Sequence, residues 1–178
     1  MAAIPRAWFL PPDQVPHAAQ DRPLPIGHGQ TNSQPSTVAT MLWLLEVHPG
    51  QRVLDVGAGS GWTTALLASL VGPSGQVVGV ELEEDLAAVG SANLARTEQP
   101  WASIRTPELG VLGDPAHAPY DRILVSAMAI DLPVGLTNQL APESIMVIPV
   151  GGRLMRIRRS GGTSVTDRFG HYRFVPLR

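Results

Sequence analysis

The chain has 178 residues, 44% of them hydrophobic, and a formal net charge of −2, which suits one α/β domain with a real core and argues against a nucleic-acid binder, whose basic excess is missing. There is no cysteine, which excludes disulfides, thiolate metal sites and a cysteine nucleophile. No apolar run approaches the ~20 residues of a membrane span, and the first residues lack the apolar core of a secretory leader; the expectation is a cytoplasmic monomer that binds neither nucleic acid nor membrane.

In chain order, the prolines scattered from Pro5 to Pro25 exclude a long helix and predict an ordered arm. The arm ends in PIGHGQTNSQPS, residues 25–36, which gathers glycines, hydroxyls and amides into one loop. Ser33 and Ser36 are candidate caps for the next helix. That helix carries Val38, Met41, Leu42 and Leu45 on one face and stops at His48-Pro49-Gly50. Residues 53–62, VLDVGAGSGW, read as a buried strand running into Gly57, Gly59 and Gly61, which remove the Cβ atoms that would keep a ligand from backbone. A helix over 62–71 follows, with Leu66, Leu67 and Leu70 at helical spacing, so its first N–H groups face the loop and favour an anion.

A second strand, 76–80, ends in Glu81. A helix over 83–99 has Leu82, Leu86 and Val89 facing inward and is closed by Pro100. A third strand covers 102–105 and a fourth 122–126, with Asp121 closing the turn before it. Ala127-Met128-Ala129 is small enough to line a substrate cleft. Asp131-Leu132-Pro133 starts another helix, residues 144–150 make a fifth strand, and 154–159 with 172–177 form a terminal hairpin-like pair. Alternating strands and helices define a doubly wound, mostly parallel, seven-stranded Rossmann-like sheet. Histidines 17, 28, 48, 117 and 171 show no metal spacing; His28, inside the active loop, is the one placed to reach a substrate, or simply to hydrogen-bond within the loop.

A dinucleotide fingerprint needs G-x-G-x-x-G, and its last glycine would fall at Trp62. The pattern present, Asp55-x-Gly57-x-Gly59-x-Gly61, resembles that of class I methyltransferases. The resemblance implies S-adenosyl-L-methionine as cofactor, with Asp55, Gly57, Gly59, Ser60 and Gly61 around its methionine end. Glu81, 24 residues after Gly57, would accept both ribose hydroxyls, with Leu82 beside it. Alternatively, Glu81 belongs with Glu83, Glu84 and Asp85 to an acidic helix start.

The arm loop narrows the family. DRPLPIGHGQTNSQPSTV followed by VLDVGAGSGW, then HAPYDRILVSA, VIPVGG and the closing HYRFVPL, resembles the protein-L-isoaspartate O-methyltransferase family over most of the chain. The resemblance implies one methyltransferase domain, 1–178, in which 1–36 form the arm and active-site loop and 37–178 the cofactor-binding core with C-terminal strands. Thr31, Asn32 and Ser33 would lie at the transferable methyl, with Ser33 the active-site residue. The implied partner is a peptide or protein carrying an isoaspartyl residue, whose carboxylate is methylated so that a succinimide forms and repair follows.

The chain also departs from that family. The usual helix of some 25 residues before IPRAWFLP is absent. Where the family has Gly-Asp-Gly, whose Asp holds the adenine amino group, this chain has Glu108-Leu109-Gly110. Either Glu108 takes over through a shifted loop or Leu109 offers apolar contact, and the second is favoured because neighbouring side chains point apart. The family's Lys-Pro-Gly-Gly turn is Ala141-Pro142-Glu143-Ser144. Two alternatives therefore stand beside repair: an aspartyl O-methyltransferase that forms an aspartimide in one dedicated peptide, and a cofactor-binding module with weakened catalysis.

Overall fold

The computed structural model describes residues 4–178. The prolines keep the arm to short 3₁₀ turns, Arg6–Phe9 and Val15–His17, before a two-stranded antiparallel ribbon, β1 (Leu24–Gly27) and β2 (Gln30–Asn32). Helix α1 (Pro35–Leu45) buries Val38, Met41, Leu44 and Leu45, and ends where Glu46 turns left-handed. Neither Ser33 nor Ser36 caps it. Gln34 is the N-cap residue, and the Asp21 carboxylate does the capping from 15 residues upstream by accepting the Ser36 N–H at 2.9 Å.

The core alternates strands and helices: β3 (Arg52–Val56), α2 (Trp62–Val71), β4 (Gln76–Val80), α3 (Glu84–Ala95), β5 (Ala102–Arg105), β6 (Tyr120–Val125), α4 (Val134–Thr137) and β7 (Leu140–Val150). An edge hairpin follows, β8 (Arg153–Ser160) and β9 (Thr163–Phe169), and the seven strands lie in the order β5-β4-β3-β6-β7-β8-β9. The first five are parallel and the last two antiparallel. Strand order reverses between β3 and β6, which opens a crevice at their carboxyl ends, the place where open α/β sheets take ligands.

Both faces of the sheet are covered, which is why β3, β4 and β6 read as near-continuous apolar runs. Met41, Leu44, Leu67, Val77 and Val147 belong to one buried cluster against α1 and α2, while Leu54, Val78, Ile123 and Met146 belong to a second. Truncating one such side chain, Leu67 for example, costs about 2–5 kcal/mol.

Sequence expectations are corrected at five points. Residues 172–177 do not pair with β8, whose partner is β9; the closing segment instead lies beside the loop after β6, with Met128 N–H on the Val175 carbonyl at 2.7 Å and Leu177 N–H on the Met128 carbonyl at 2.8 Å. Leu82 and Val89 are exposed rather than inward, since Leu82 precedes α3 and Val89 lies off the stripe of Leu86, Ala87, Gly90 and Leu94 that α3 buries; Leu70 of α2 is exposed as well. Helix α3 ends at Ala95, and the Asp131-Leu132-Pro133 turn leads only to the four-residue α4. The strand expected at 144–150 begins at Leu140, because an irregularity in register absorbs the Ala141-Pro142-Glu143-Ser144 turn. No helix among the described residues is long and apolar enough to cross a membrane.

Candidate active site

The crevice is an open cleft at the carboxyl ends of β3, β4 and β6, lined by Val56, Val80 and Ser126. Its floor is the glycine loop between β3 and α2. The Gly57 and Ala58 N–H groups bind the Val80 carbonyl at 2.9 and 3.1 Å, so the loop is tied to the end of β4. At Gly59, φ is +55°, and a Cβ would sit 3.1 Å from Ile26 Cδ1 of the β1–β2 ribbon. The ribbon therefore lies directly on the loop.

Glu81 is 6% exposed and lines the cleft. Its Oε2 accepts the Gly59 N–H at 2.9 Å and its Oε1 accepts the Glu83 N–H at 3.1 Å. Each oxygen keeps further acceptor capacity toward the cleft. Asp55, on β3, is fully buried and does not line the cleft. Its Oδ2 accepts the hydroxyls of Thr63 and Thr64, each at 2.7 Å, while Oδ1 has no partner. Burial pushes this carboxyl up to about 6, the two threonine hydroxyls pull it down, and the Glu81 charge adds to the rise.

Thr31, Asn32 and Ser33 line the opposite wall, with Ser60 between them and the floor. One residue of the arm holds this wall in place. Arg6 is buried, and its guanidinium donates to Asn32 Oδ1 at 2.7 Å, to the Asn32 carbonyl at 2.9 Å and to the Ser33 carbonyl at 3.0 Å. Further bonds reach the carbonyls of Gln20 and Arg22, and the cation lies 5.4 Å from the Trp62 ring centroid. Asn32 in turn donates to Ser60 Oγ at 3.3 Å. Arg6 thus couples the arm, the Ser33 loop and the glycine loop. Hydrogen bonds to a charged group contribute roughly 1.5–3 kcal/mol each, so the set is a firm anchor.

The third wall is the loop between β5 and β6. Pro107, Val111, Leu112 and Gly113 face the cleft; Glu108 and Leu109 do not, and Leu109 is 97% exposed. The loop is fixed from behind by Gln139, which donates to the Leu112 carbonyl and accepts the Asp114 N–H, both at 2.8 Å. Gly113 allows that contact, since a Cβ there would lie 2.6 Å from Gln139 Oε1. Burial raises Asp114, but hydrogen bonds from His117 and Tyr120 with the Arg105 charge outweigh it and hold the carboxyl below its ordinary value.

Of the residues expected at the site, Thr31, Asn32, Ser33, Gly57, Gly59, Ser60, Glu81 and Leu82 come together in the cleft. Gly61 instead packs against α3, where a Cβ would meet the Gly90 carbonyl oxygen at 2.8 Å. Asp121 accepts the Arg52 N–H at 2.8 Å, a strand-joining role. Ala127 lines the cleft, as does the closing segment from Val175 to Arg178. The mouth is bridged at Glu83, whose carboxylate pairs with Arg178 on one side and lies 3.8 Å from His28 Nδ1 of the ribbon on the other.

A family model described as Protein-L-isoaspartate(D-aspartate) O-methyltransferase (PCMT) matches residues 1–178. The chain belongs to that family. It is 50% identical over 151 residues to the protein-L-isoaspartate O-methyltransferase of Aeropyrum pernix, covering 85% of this chain and 58% of that one. It is 42% identical over 185 residues to the Methanothrix thermoacetophila enzyme of the same name, covering 98% and 88%. The crystal structure of a Plasmodium falciparum protein of this family, in complex with S-adenosyl-L-homocysteine, superposes with a TM-score of 0.87 at 26% identity, covering 99% of this chain and 87% of that one. In this family setting, the long ordered arm and the tail over the cleft are the parts that a bare glycine loop would not foretell.

Proposed function

We infer that the protein transfers the methyl group of S-adenosyl-L-methionine to the free carboxylate of an isoaspartyl residue in an altered peptide or protein, with residues 1–178 acting as one methyltransferase unit. The observation that carries this reading is the seam where the Thr31-Asn32-Ser33 wall meets the glycine loop, held together by Arg6, in a chain of the isoaspartyl methyltransferase family. The same reading puts the protein in the cytoplasm, where aged proteins and the methyl donor are both present.

The residues present fit the cofactor. S-adenosyl-L-methionine supplies a methyl on a sulfonium and also carries an ammonium, so it favours a negative surround. Glu81 offers acceptors to the ribose hydroxyls, and the unpartnered Asp55 oxygen adds negative potential beneath the glycine loop without touching the cleft. The Val111 and Leu112 wall suits the flat face of a base. The Ser33 hydroxyl enters no hydrogen bond among the described residues, so it is free to orient the incoming carboxylate.

A carboxylate with an ordinary pKa near ~4 is ionised at neutral pH and attacks without a general base. The task left to the chain is alignment and exclusion of water. In the product, the neighbouring backbone nitrogen displaces methoxide from the ester, which leaves as methanol, and the succinimide then opens with water partly to aspartate.

Methyl transfer to an isoaspartyl peptide and to its aspartyl twin, measured side by side, tests the reading. Only the isoaspartyl peptide is expected to be methylated, and Ser33→Ala should lower kcat about 10- to 100-fold, the worth of one hydrogen bond to a charged group. Equal methylation of the twin would overturn the substrate assigned here.

A further inference from the structure

Beside the cleft runs a second groove, between the N-terminal end of α1 and the closing segment; Thr31 and Val175 line both. The two depressions thus meet at the loop that carries Ser33. An extended peptide with its reacting residue at Ser33 has this groove as a path for its flanking residues. We propose that Arg173, in this groove, selects substrates carrying an acidic side chain near the isoaspartyl residue. The inference rests on the methyltransferase reading above and names the class of peptide that the site prefers.

Charge placement carries the argument. All 13 basic residues are arginine, and seven of them fall within residues 153–178, where Asp167 is the one acid. Most are already engaged: Arg156 and Arg158 on Asp167, Arg159 on the Leu140 carbonyl, Arg178 on Glu83. Arg153, Arg168 and Arg173 enter no ion pair among the described residues, and of these three Arg173 alone lines the groove. Its neighbours there include the hydroxyls and amide of Gln34, Ser36 and Thr37 and the apolar Phe174, with His171 and Tyr172 as the other titratable groups.

The carboxylate that touches the groove wall from its own element, Asp21, is held by the Ser36 N–H at 2.9 Å and the Gln34 side-chain amide at 3.1 Å, bonds that keep it below its ordinary value. Among the residues that line the groove Arg173 carries the one permanent charge, on an exposed side chain, while the ionised Asp21 at the wall is engaged by the Ser36 and Gln34 N–H groups. An exposed ion pair is weak, so the selection is modest, about 1.5- to 5-fold, and fades as salt rises.

The test is a set of isoaspartyl peptides with one Glu placed at successive positions on either side of the reacting residue, each with a Gln twin. The ratio of kcat/KM for Glu over Gln is read within each protein variant, at low and at high salt. The wild type should favour Glu by about 1.5- to 5-fold at one or two positions at low salt. Arg173→Gln should bring that ratio to one, and Arg173→Glu should invert it, with S-adenosyl-L-homocysteine affinity reporting that each variant is folded. A ratio of one at every position in the wild type, or a preference that survives Arg173→Gln, overturns the proposal. If no isoaspartyl peptide is methylated while the homocysteine product still binds, the methyltransferase reading itself fails, and this inference falls with it.

Discussion

The two ends of the cleft are built on opposite plans. At the end formed by β3 and β4, two carboxylates sit at the strand ends, 0% and 6% exposed; Glu81 holds the glycine loop through the Gly59 N–H and Asp55 holds the first turn of α2 through the Thr63 and Thr64 hydroxyls. At the other end, the loop between β5 and β6 offers the cleft apolar side chains and backbone, and its polar anchors, Gln139 and Asp114, lie behind the wall. In the cofactor reading proposed above, one end would recognise its ligand by charge, the other by shape. The strand ends carry buried charge because the segments that follow them supply donors, the Gly59 and Glu83 N–H groups to Glu81 and the Thr63 and Thr64 hydroxyls to Asp55. Cofactor affinity should therefore reside mostly at the charged end.

The largest effect should come from Glu81→Ala. Removing the carboxylate takes away the proposed ribose acceptors and also frees the Gly59 and Glu83 N–H groups. A hydrogen bond to a charged group contributes roughly 1.5–3 kcal/mol, so S-adenosyl-L-homocysteine should bind about 10- to 100-fold more weakly by calorimetry. Glu81→Gln keeps one acceptor oxygen and should fall between. Unchanged affinity in Glu81→Ala would break the comparison outright.

A middle-sized effect is a pH dependence at Asp55. Its folded value, about 6, stands above the ordinary 3.8 because burial disfavours the charge. Without a bound ligand, the proton therefore stabilises the fold: that contribution is complete below about pH 4 and is lost by about pH 6, roughly 3 kcal/mol in all. A cationic ligand at the glycine loop favours the ionised form, so cofactor affinity should weaken about tenfold between pH 7 and pH 5. In Asp55→Asn both profiles should flatten, the unliganded protein losing less thermal stability from pH 4 to pH 6 while binding the cofactor more weakly at pH 7. A midpoint that stays pH-dependent in the variant would assign the titration to another group.

The charged end was also the legible one. Strand, glycine loop, helix, strand and acid follow one another within 29 residues, and each has a local period or spacing that reports it, so α2 and β4 match their expected bounds. What sequence missed is tertiary. Nothing around Arg6 marks it, since its partners lie 26 and 27 residues away and are mostly backbone carbonyls. Asp21 as the cap of α1 is hidden the same way. The edge hairpin, by contrast, carries a local signal: Gly161-Gly162 between two strands is a tight-turn pair, and it assigns β9 to β8 in place of the closing segment. The shape-reading end was obscure because a loop's side chains have no periodicity to say which of them face inward.

The smallest effect is the sharpest test of that obscure end. Glu108-Leu109-Gly110 stands where the family has an acid between two glycines, and alignment alone makes Leu109→Asp a restoration. The fold argues otherwise: Leu109 is almost fully exposed, while Leu112, three residues on, lines the cleft and packs against the core. A carboxylate added at position 109 should meet water, and S-adenosyl-L-homocysteine affinity should stay within about twofold, the usual reach of an exposed substitution. Leu112→Ala, which removes wall area, should weaken binding several-fold, since burying apolar surface contributes roughly 25 cal/mol per Å². Calorimetry on both variants reads the difference directly. If Leu109→Asp tightens binding tenfold while Leu112→Ala does nothing, the loop refolds around its ligand and the base is read by charge after all.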